Sequence, residues 1–284
     1  MDDAARIGQL LGRRPRQLKP QVGGDIARSV QATFDDGERV MAKFARAGQP
    51  SLRLEARMLA DLRDAGLPVP ATLAVADDVL VLAWVDAGTH HWDDDVQAAA
   101  GRAIARLHVS SRIDGCGYDY DSVIGDLVQP NPPTARWLDF FRDHRLLHRA
   151  DAALRAGRLP VVLRHRLDTL AGRLDRWIDP DTTPCLLHGD LWGGNMLPTA
   201  DGGACFIDPA IYRGDAGMDL AMTTLFHSVG PAFFAGYRDV APIDPACLEA
   251  CLPLYQLYPL LVHVQLFGDG HVGAVERILD RLGC

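Results

Sequence analysis

Residues 186–197 read Leu186-Leu187-His188-Gly189-Asp190-Leu191-Trp192-Gly193-Gly194-Asn195-Met196-Leu197, and Cys205-Phe206-Ile207-Asp208-Pro209 follows shortly after. Two short apolar runs flank a loop of Gly, Asp and Asn. An Asp followed five residues later by an Asn, with a second Asp at the end of the next short strand, is a kit for phosphoryl transfer. That reaction asks the protein for positioning, for metal to offset phosphate charge, and for a carboxylate to orient the acceptor hydroxyl. In this reading Asp190 accepts the hydroxyl proton, and Asn195 and Asp208 offer hard oxygen ligands to Mg²⁺. A His-Gly-Asp turn alone could arise by chance. The flanking apolar runs and the placement of Asp208 raise the specificity.

Working outward toward the N-terminus, residues 2–12 read as a short helix. Val22, Ile26, Val30, Ala32 and Phe34 then fall at even spacing, Asp35-Asp36-Gly37 makes a turn, and Val40, Ala42 and Phe44 resume the alternation. The pattern predicts a strand, a tight Gly23-Gly24 turn, a second strand, a hairpin turn and a third strand. Residues 51–65 carry a helical stripe of Leu52, Leu54, Met58, Leu59 and Leu62, which Pro68 and Pro70 close. Residues 72–85 return to strand texture around an Asp77-Asp78 turn. Lys43 lies in the third strand, and Glu55 follows twelve residues later on the helix. Strand lysines usually face solvent. Beside the Asp190 cluster, however, this pair matches the strand lysine and helix glutamate that hold ATP phosphates in kinases. Gly23 and Gly24 stand where a phosphate-covering loop belongs, although any hairpin uses such residues.

Beyond residue 85 the texture is helical. Helices are expected at 93–109, with Asp93, Asp94 and Asp95 at the positive end, at 134–156, at 161–178, and again after 215. Residues 110–133 read as loop. The two textures join near Trp84-Val85-Asp86, a natural hinge. The expectation is an α+β fold in two lobes: a small antiparallel-sheet lobe with one helix over 1–85, and a larger, mostly helical lobe over 86–284.

The 284 residues are 48% hydrophobic and carry a net charge of −8. That length suits one large domain or two lobes. The acidic balance, with arginines scattered among aspartates, argues against nucleic acid as a partner. The N-terminal Met-Asp-Asp-Ala-Ala-Arg has no apolar core behind it, and the stretch 257–267 is broken by Pro259, His263 and Gln265, so neither a leader nor a membrane span is expected. Six cysteines form no CxxC pair, which suggests free thiols in a reducing cytoplasm. His108 and His188 read as packing and loop-holding residues, and His227, His263 and His271 as structural. Nothing in the sequence fixes an oligomeric state.

The string HGDLWGGN at 188–195 resembles the fructosamine kinase (ketosamine-3-kinase) family of the protein-kinase-like superfamily. Aminoglycoside and choline kinases share the His-Gly-Asp and the Asn but usually lack the Trp-Gly-Gly insert. Further stretches are similar to the same family: Gly214-Asp215 with Met218-Asp219-Leu220-Ala221-Met222, Gly117 to Asp121, Pro130-Asn131, Tyr255 to Leu261, and Leu266-Phe267-Gly268. The resemblance implies ATP- and Mg²⁺-dependent phosphorylation of the 3-hydroxyl of a ketoamine, such as a fructosamine or ribulosamine, free or protein-bound, which promotes deglycation. It implies Asp190 as base, Asn195 and Asp208 on Mg²⁺, and Lys43 paired with Glu55. It also implies the backbone of Leu82, Ala83, Trp84 and Val85 around adenine, and Trp192 as a floor for the substrate. Two departures stand out. Many members carry Glu where this chain has Ala83, and some carry a cysteine where it has Asp25. The alternatives are a kinase of another small hydroxylated amine, of aminoglycoside or choline type, and a silent nucleotide-binding protein. A full set of Lys43, Asp190, Asn195 and Asp208 argues against silence. A metallohydrolase built on His188, Asp190 and Asp208 leaves Lys43 and Glu55 unexplained.

Overall fold

Alternation in the first 85 residues builds a five-stranded antiparallel sheet in the order β1-β2-β3-β5-β4, with β1 Gln17–Pro20, β2 Arg28–Thr33, β3 Arg39–Phe44, β4 Thr72–Val75 and β5 Val79–Ala83. The coordinates are a computed structural model, which describes residues 2–21, 27–46, 48–226, 228–243 and 245–284, with backbone only for 245–250 and 269. Gly23, Gly24 and Asp25 lie outside the described residues.

The chain divides into two compact units. The first comprises Met1–Ile104, Gly194–Pro209 and Gly230–Tyr237; the second comprises Ala105–Gly193, Ala210–Val229 and Arg238–Cys284.

In the first unit, strand periodicity sends alternate side chains to opposite faces of the sheet. Val30, Ala32, Val40, Ala42, Val79 and Val81 point to one face, where they bury Ile7 of helix α1 (Asp3–Leu11). Leu80 and Leu82 point to the other, against Leu52, Ala56 and Leu59 of helix α2 (Leu52–Asp64). Ser51 opens α2 by accepting the Arg53 N–H at 3.2 Å. Gly12, in a left-handed conformation at φ 72°, closes α1. Helix α3 (Asp94–Ser110) begins in this unit and ends in the second. Its Gly101 approaches helix α8 (Pro231–Arg238) so closely that an added Cβ would lie 2.0 Å from the Phe233 carbonyl oxygen.

The second unit is mainly helical. It holds α4 (Trp137–Phe140), which continues through a π-helical segment at 141–147 into α5 (His148–Arg155), then α6 (Val161–Ala171), α7 (Gly217–Leu225), α9 (Pro245–Phe267) and α10 (Val272–Arg281). Trp137 anchors its core, stacked on Phe140 and Tyr212 and meeting Tyr255 edge to face. The buried Arg145 guanidinium lies 3.9 Å over the Tyr212 ring and donates to the Asn131 side chain at 2.6 Å.

The structure bears out the α+β class, the sheet with its inserted helix, and the helical remainder. It corrects two local expectations. The stretch 110–133 contains a hairpin, β6 (Ser122–Ile124) and β7 (Leu127–Gln129), turning on Gly125 at φ 62°. Val123 and Ile124 before a Gly-Asp pair and Leu127 and Val128 after it are a hairpin signal, masked by the polar residues around them. The helix expected over 161–178 stops at Ala171, and a 3₁₀ turn follows at Leu174–Arg176. Among the described residues, no helix is long and apolar enough to cross a membrane.

Candidate active site

Strand alternation decides the position of Lys43. Its neighbours Ala42 and Phe44 face the α1 side, so Lys43 faces α2. Glu55 falls in the stripe of Leu52, Ala56 and Leu59 that packs on the sheet, because 52, 55, 56 and 59 share one helical face. The two meet at 2.6 Å, and Lys43 is only 8% exposed. Its ammonium also pairs with Asp208 Oδ1. Burial opposes the Lys43 charge, but the Glu55 and Asp208 carboxylates outweigh it and hold Lys43 above its ordinary range. Burial lifts Glu55 above the usual carboxylate value, against the pull of Lys43.

Asp208 sits just past β10 (Ala204–Phe206), which pairs with β9 (Met196–Pro198). It is the single non-glycine with positive φ among the described residues, at 55°. Asp is one of the few side chains that tolerate this region, and such backbone is often retained at functional sites. Asn195 is buried; its side-chain amide donates to the Asp208 main-chain oxygen at 3.5 Å, and the Ile207 N–H donates to the Asn195 carbonyl at 3.0 Å. Three bonds thus bring together Lys43, Glu55, Asn195 and Asp208, all in the first unit.

This donor set fits Mg²⁺. One ammonium between two carboxylates leaves a single net negative charge, which calls for a further cation. The Asn195 and Asp208 side chains supply hard oxygens, and Lys43 already shows the Asp208 carboxylate receiving positive charge. Among the described residues no group of three or more His, Cys, Asp or Glu could hold a metal.

The Ala83 N–H donates to the Ala71 carbonyl at 2.8 Å, as part of the sheet edge. Leu82 is buried in the α2-facing cluster. Trp84 and Val85 run on past the end of β5.

The Asp190 loop belongs to the second unit. It follows β8 (Cys185–Leu187), which pairs with β11 (Tyr212–Gly214). Asp219, buried on α7, binds the loop backbone: Oδ2 accepts the His188 N–H at 2.8 Å, and Oδ1 accepts the Gly189 N–H at 2.9 Å. His108 Nε2 meets Asp219 Oδ2 at 3.1 Å. Burial pushes the Asp219 carboxyl up, but hydrogen bonds from His108 and the loop overcome this and hold it below its ordinary value. His188 is fully buried, and its Nδ1 faces the Asp190 N–H at 3.4 Å. His188 lies against the loop, while His108, read from the sequence as a packing residue, acts on the loop through Asp219, and Asp190 is left half-buried at the tip. His227 lies outside the described residues. Asp219 itself was legible in principle: a lone carboxylate on the apolar helix Gly217–Leu225 must be paired to be buried. Sequence spacing gives no hint of its partners.

Gly189 has φ +83°, and a Cβ there would lie 1.9 Å from the Ala210 carbonyl oxygen. The backbone conformation costs an L-residue about 1–2 kcal/mol, and overpacking against rigid main chain a further ~1–3 kcal/mol. Gly189→Ala should therefore lower the melting temperature and activity together. A variant that melts and turns over like the parent would show that the loop is looser than this packing.

Cys185 and Cys205 flank the loop, and both are buried. Burial pushes the Cys205 thiol up to about 11 and the Cys185 thiol well above its usual value. Thiolate is the reactive form, and its fraction grows only as pH nears these values. Both thiols should resist a disulfide reagent at pH 7.5 in the folded protein, with no loss of activity under mild oxidation. Rapid labelling of either, with activity restored by thiol, would contradict this.

Comparison with known proteins places this arrangement. A family model described as fructosamine kinase matches residues 4–283. A probable ketoamine kinase of Synechocystis sp. is 33% identical, over 98% of this chain and 95% of its own. A crystal structure from Thermobifida fusca, carrying a provisional fructosamine-3-kinase name, is 29% identical with a TM-score of 0.85, over 99% of both chains. An amicoumacin kinase solved with AMP-PNP, Ca²⁺ and its antibiotic shares the fold at 15% identity and a TM-score of 0.63, over 98% of this chain and 91% of that one. Matching over almost its whole length, the chain belongs to the fructosamine kinase family and is an ATP-dependent phosphotransferase.

Proposed function

We propose that the enzyme transfers the γ-phosphoryl group of ATP to the 3-hydroxyl of a ketoamine, a sugar–amine adduct of the fructosamine or ribulosamine type. The observation that carries this reading is the Asp190 loop with its Trp-Gly-Gly insert: Trp192 stands 38% exposed two residues from Asp190. A flat indole suits the C–H face of a sugar, and its π-face attracts a protonated amine.

In the proposed reaction Asp190 accepts the proton of the 3-hydroxyl, which attacks phosphorus as the bond to ADP breaks. Asp219 and His108 hold the His188-Gly189 backbone, so the Asp190 carboxylate is oriented before substrate arrives. Lys43, fixed by Glu55, offers its charge to the nucleotide phosphates. Asn195 and Asp208 would hold Mg²⁺, which when bound offsets the charge of the transferring phosphates. Gly23 and Gly24 would cover the phosphates, and the main chain of Trp84 and Val85, just past the paired Ala83 N–H, would take the adenine. Phosphate leaves C3 more readily than hydroxide once the sugar has lost a C1 proton to the enol; the C3–O bond breaks, and water hydrolyses the resulting imine to free amine and a 3-deoxydicarbonyl, which amounts to deglycation. Catalysis in the cytoplasm fits this chemistry, since small sugars and amines meet there.

A coupled ADP-release assay over ketoamines built from ribulose and fructose, run beside a panel of aminoglycosides, tests the reading. Turnover on ketoamines is expected. Turnover confined to aminoglycosides would replace it with the kinase of another hydroxylated amine.

A further inference from the structure

Trp192 is the first ring of a continuous row, all of it in the second unit. The indole meets Phe226 edge to face, with centroids 6.0 Å apart. Phe226 lies 5.1 Å from the ring of His263. His263 lies 5.5 Å from Phe267 and 5.0 Å from His271, and those two are 6.4 Å apart. Phe226 stands at the end of α7, His263 and Phe267 sit one turn apart on α9, and His271 precedes α10. The row thus gathers residues from three elements and the Asp190 loop.

The row is held in place. The Gly193 N–H donates to Ser228 Oγ at 2.8 Å, and a Cβ at Gly193 would lie 2.4 Å from the Ser228 Cβ, so the insert carrying Trp192 is pinned beside Phe226. His263 Nδ1 lies 2.7 Å from the Pro259 carbonyl oxygen. Gln256, two helical turns before His263 on α9, donates to Thr224 of α7 at 2.8 Å, which fixes the two helices in register. Yet the rings remain open to solvent: Phe226 is 37% and Phe267 52% exposed. Aromatic surface kept exposed and contiguous beside a catalytic loop is characteristic of a binding surface.

A monosaccharide presents one C–H face, which a single ring can cover. The row continues past Trp192 for four more rings, more aromatic surface than one sugar face covers. It offers an indole, two phenyl rings and two imidazoles, with no Lys, Arg, Asp or Glu among its five members, a surface better matched to apolar carbon than to a charged group.

We propose that Phe226, Phe267 and His271 hold the amine-derived arm of the ketoamine and make the enzyme select adducts whose amine carries an apolar side chain. This rests on the ketoamine reading above. It adds specificity-determining residues that contact the part of the substrate that leaves as amine, while Trp192 and Asp190 serve the sugar.

The test compares adducts of one ketose with glycine, valine and phenylalanine, using the full chain with ATP and Mg²⁺. In the parent, kcat/KM should rise roughly tenfold from the glycine to the phenylalanine arm, the scale of discrimination an apolar pocket gives for added carbon. Phe267→Ala and His271→Ala should each compress that gradient, losing most on the phenylalanine arm and least on the glycine arm. KM for ATP and the melting temperature should stay near the parent values. Val162→Ala, on α6 and 63% exposed, is the surface control and should keep the full gradient. Equal kcat/KM across the three arms in the parent, or variants that lose one common factor on every arm, would overturn the proposal while leaving the ketoamine activity intact. Absence of turnover on every ketoamine would instead overturn the functional reading itself, and this inference with it.

Discussion

Asp190→Asn lowers kcat by ~10²–10⁴-fold or more, the usual scale of general-base assistance, while nucleotide affinity stays close to that of the parent. The substitution keeps the size of the side chain and removes only its charge and basicity. Asp219, paired with His108, holds the loop through the His188 and Gly189 N–H groups, which the substitution leaves untouched. The nucleotide should be held by Lys43, Asn195 and Asp208, which are joined by their own bonds in the first unit. Calorimetry with a non-hydrolysable ATP analogue, beside steady-state kinetics, separates the two quantities. Asp208→Asn should fail in the opposite manner: it weakens Mg²⁺-dependent analogue binding, and added Mg²⁺ partly restores it. Loss of analogue binding in a folded Asp190→Asn protein would show that the roles are assigned wrongly.

Lys43→Met removes the cation from between two carboxylates, and the protein should lose about 3–5 kcal/mol of stability, as when one partner of a buried ion pair is deleted. Lys43 is nearly fully buried and touches both Glu55 and Asp208. Without it, burial lifts Glu55 further above its ordinary value, and the folded state then binds more protons than the unfolded state. Stability in this variant should therefore rise as pH falls from 8 toward 5, because protonation relieves the unpaired charge. Adding Glu55→Met should recover part of the stability, since a matched apolar pair replaces a broken ionic one, but should not recover activity. Urea melts of the single and double variants at the two pH values measure all of this. A single variant as stable as the parent at pH 8 would mean that the charge cluster is more open to water than its burial indicates.

The sheet was legible because its alternation is uninterrupted on both sides of Asp35-Asp36-Gly37, and the same alternation carried Lys43 to the face where α2 presents Glu55. The kinase family was legible in residues 188–208, because few other chemistries ask for Asp, Asn and Asp at that spacing. What stayed hidden depends on contacts between residues far apart in sequence. Nothing in Ser122 to Gln129 announces that this hairpin is tied to the far segment, where the Gln129 amide donates to the Ala210 carbonyl at 2.8 Å. No pattern marks the π-helical segment at 141–147, which sits where Arg145 turns inward among Tyr212, Phe140 and Tyr258. The contact of His263 with Phe226 joins residues 37 apart and appears only once α7 and α9 are placed. Asp219 shows the same limit, since its charge is visible on an apolar helix and its hydrogen-bond partners are 30, 31 and 111 residues away.

Phosphorus NMR of the product tests the central claim most directly. Purified protein is incubated with ATP, Mg²⁺ and a fructose-derived amine, and the new phosphate ester is assigned by its coupling to sugar protons. The account predicts one ester, coupled to H3, followed by slow release of free amine and inorganic phosphate. An ester at another hydroxyl, or no ester on the ketoamine beside rapid phosphorylation of an aminoglycoside, would contradict it.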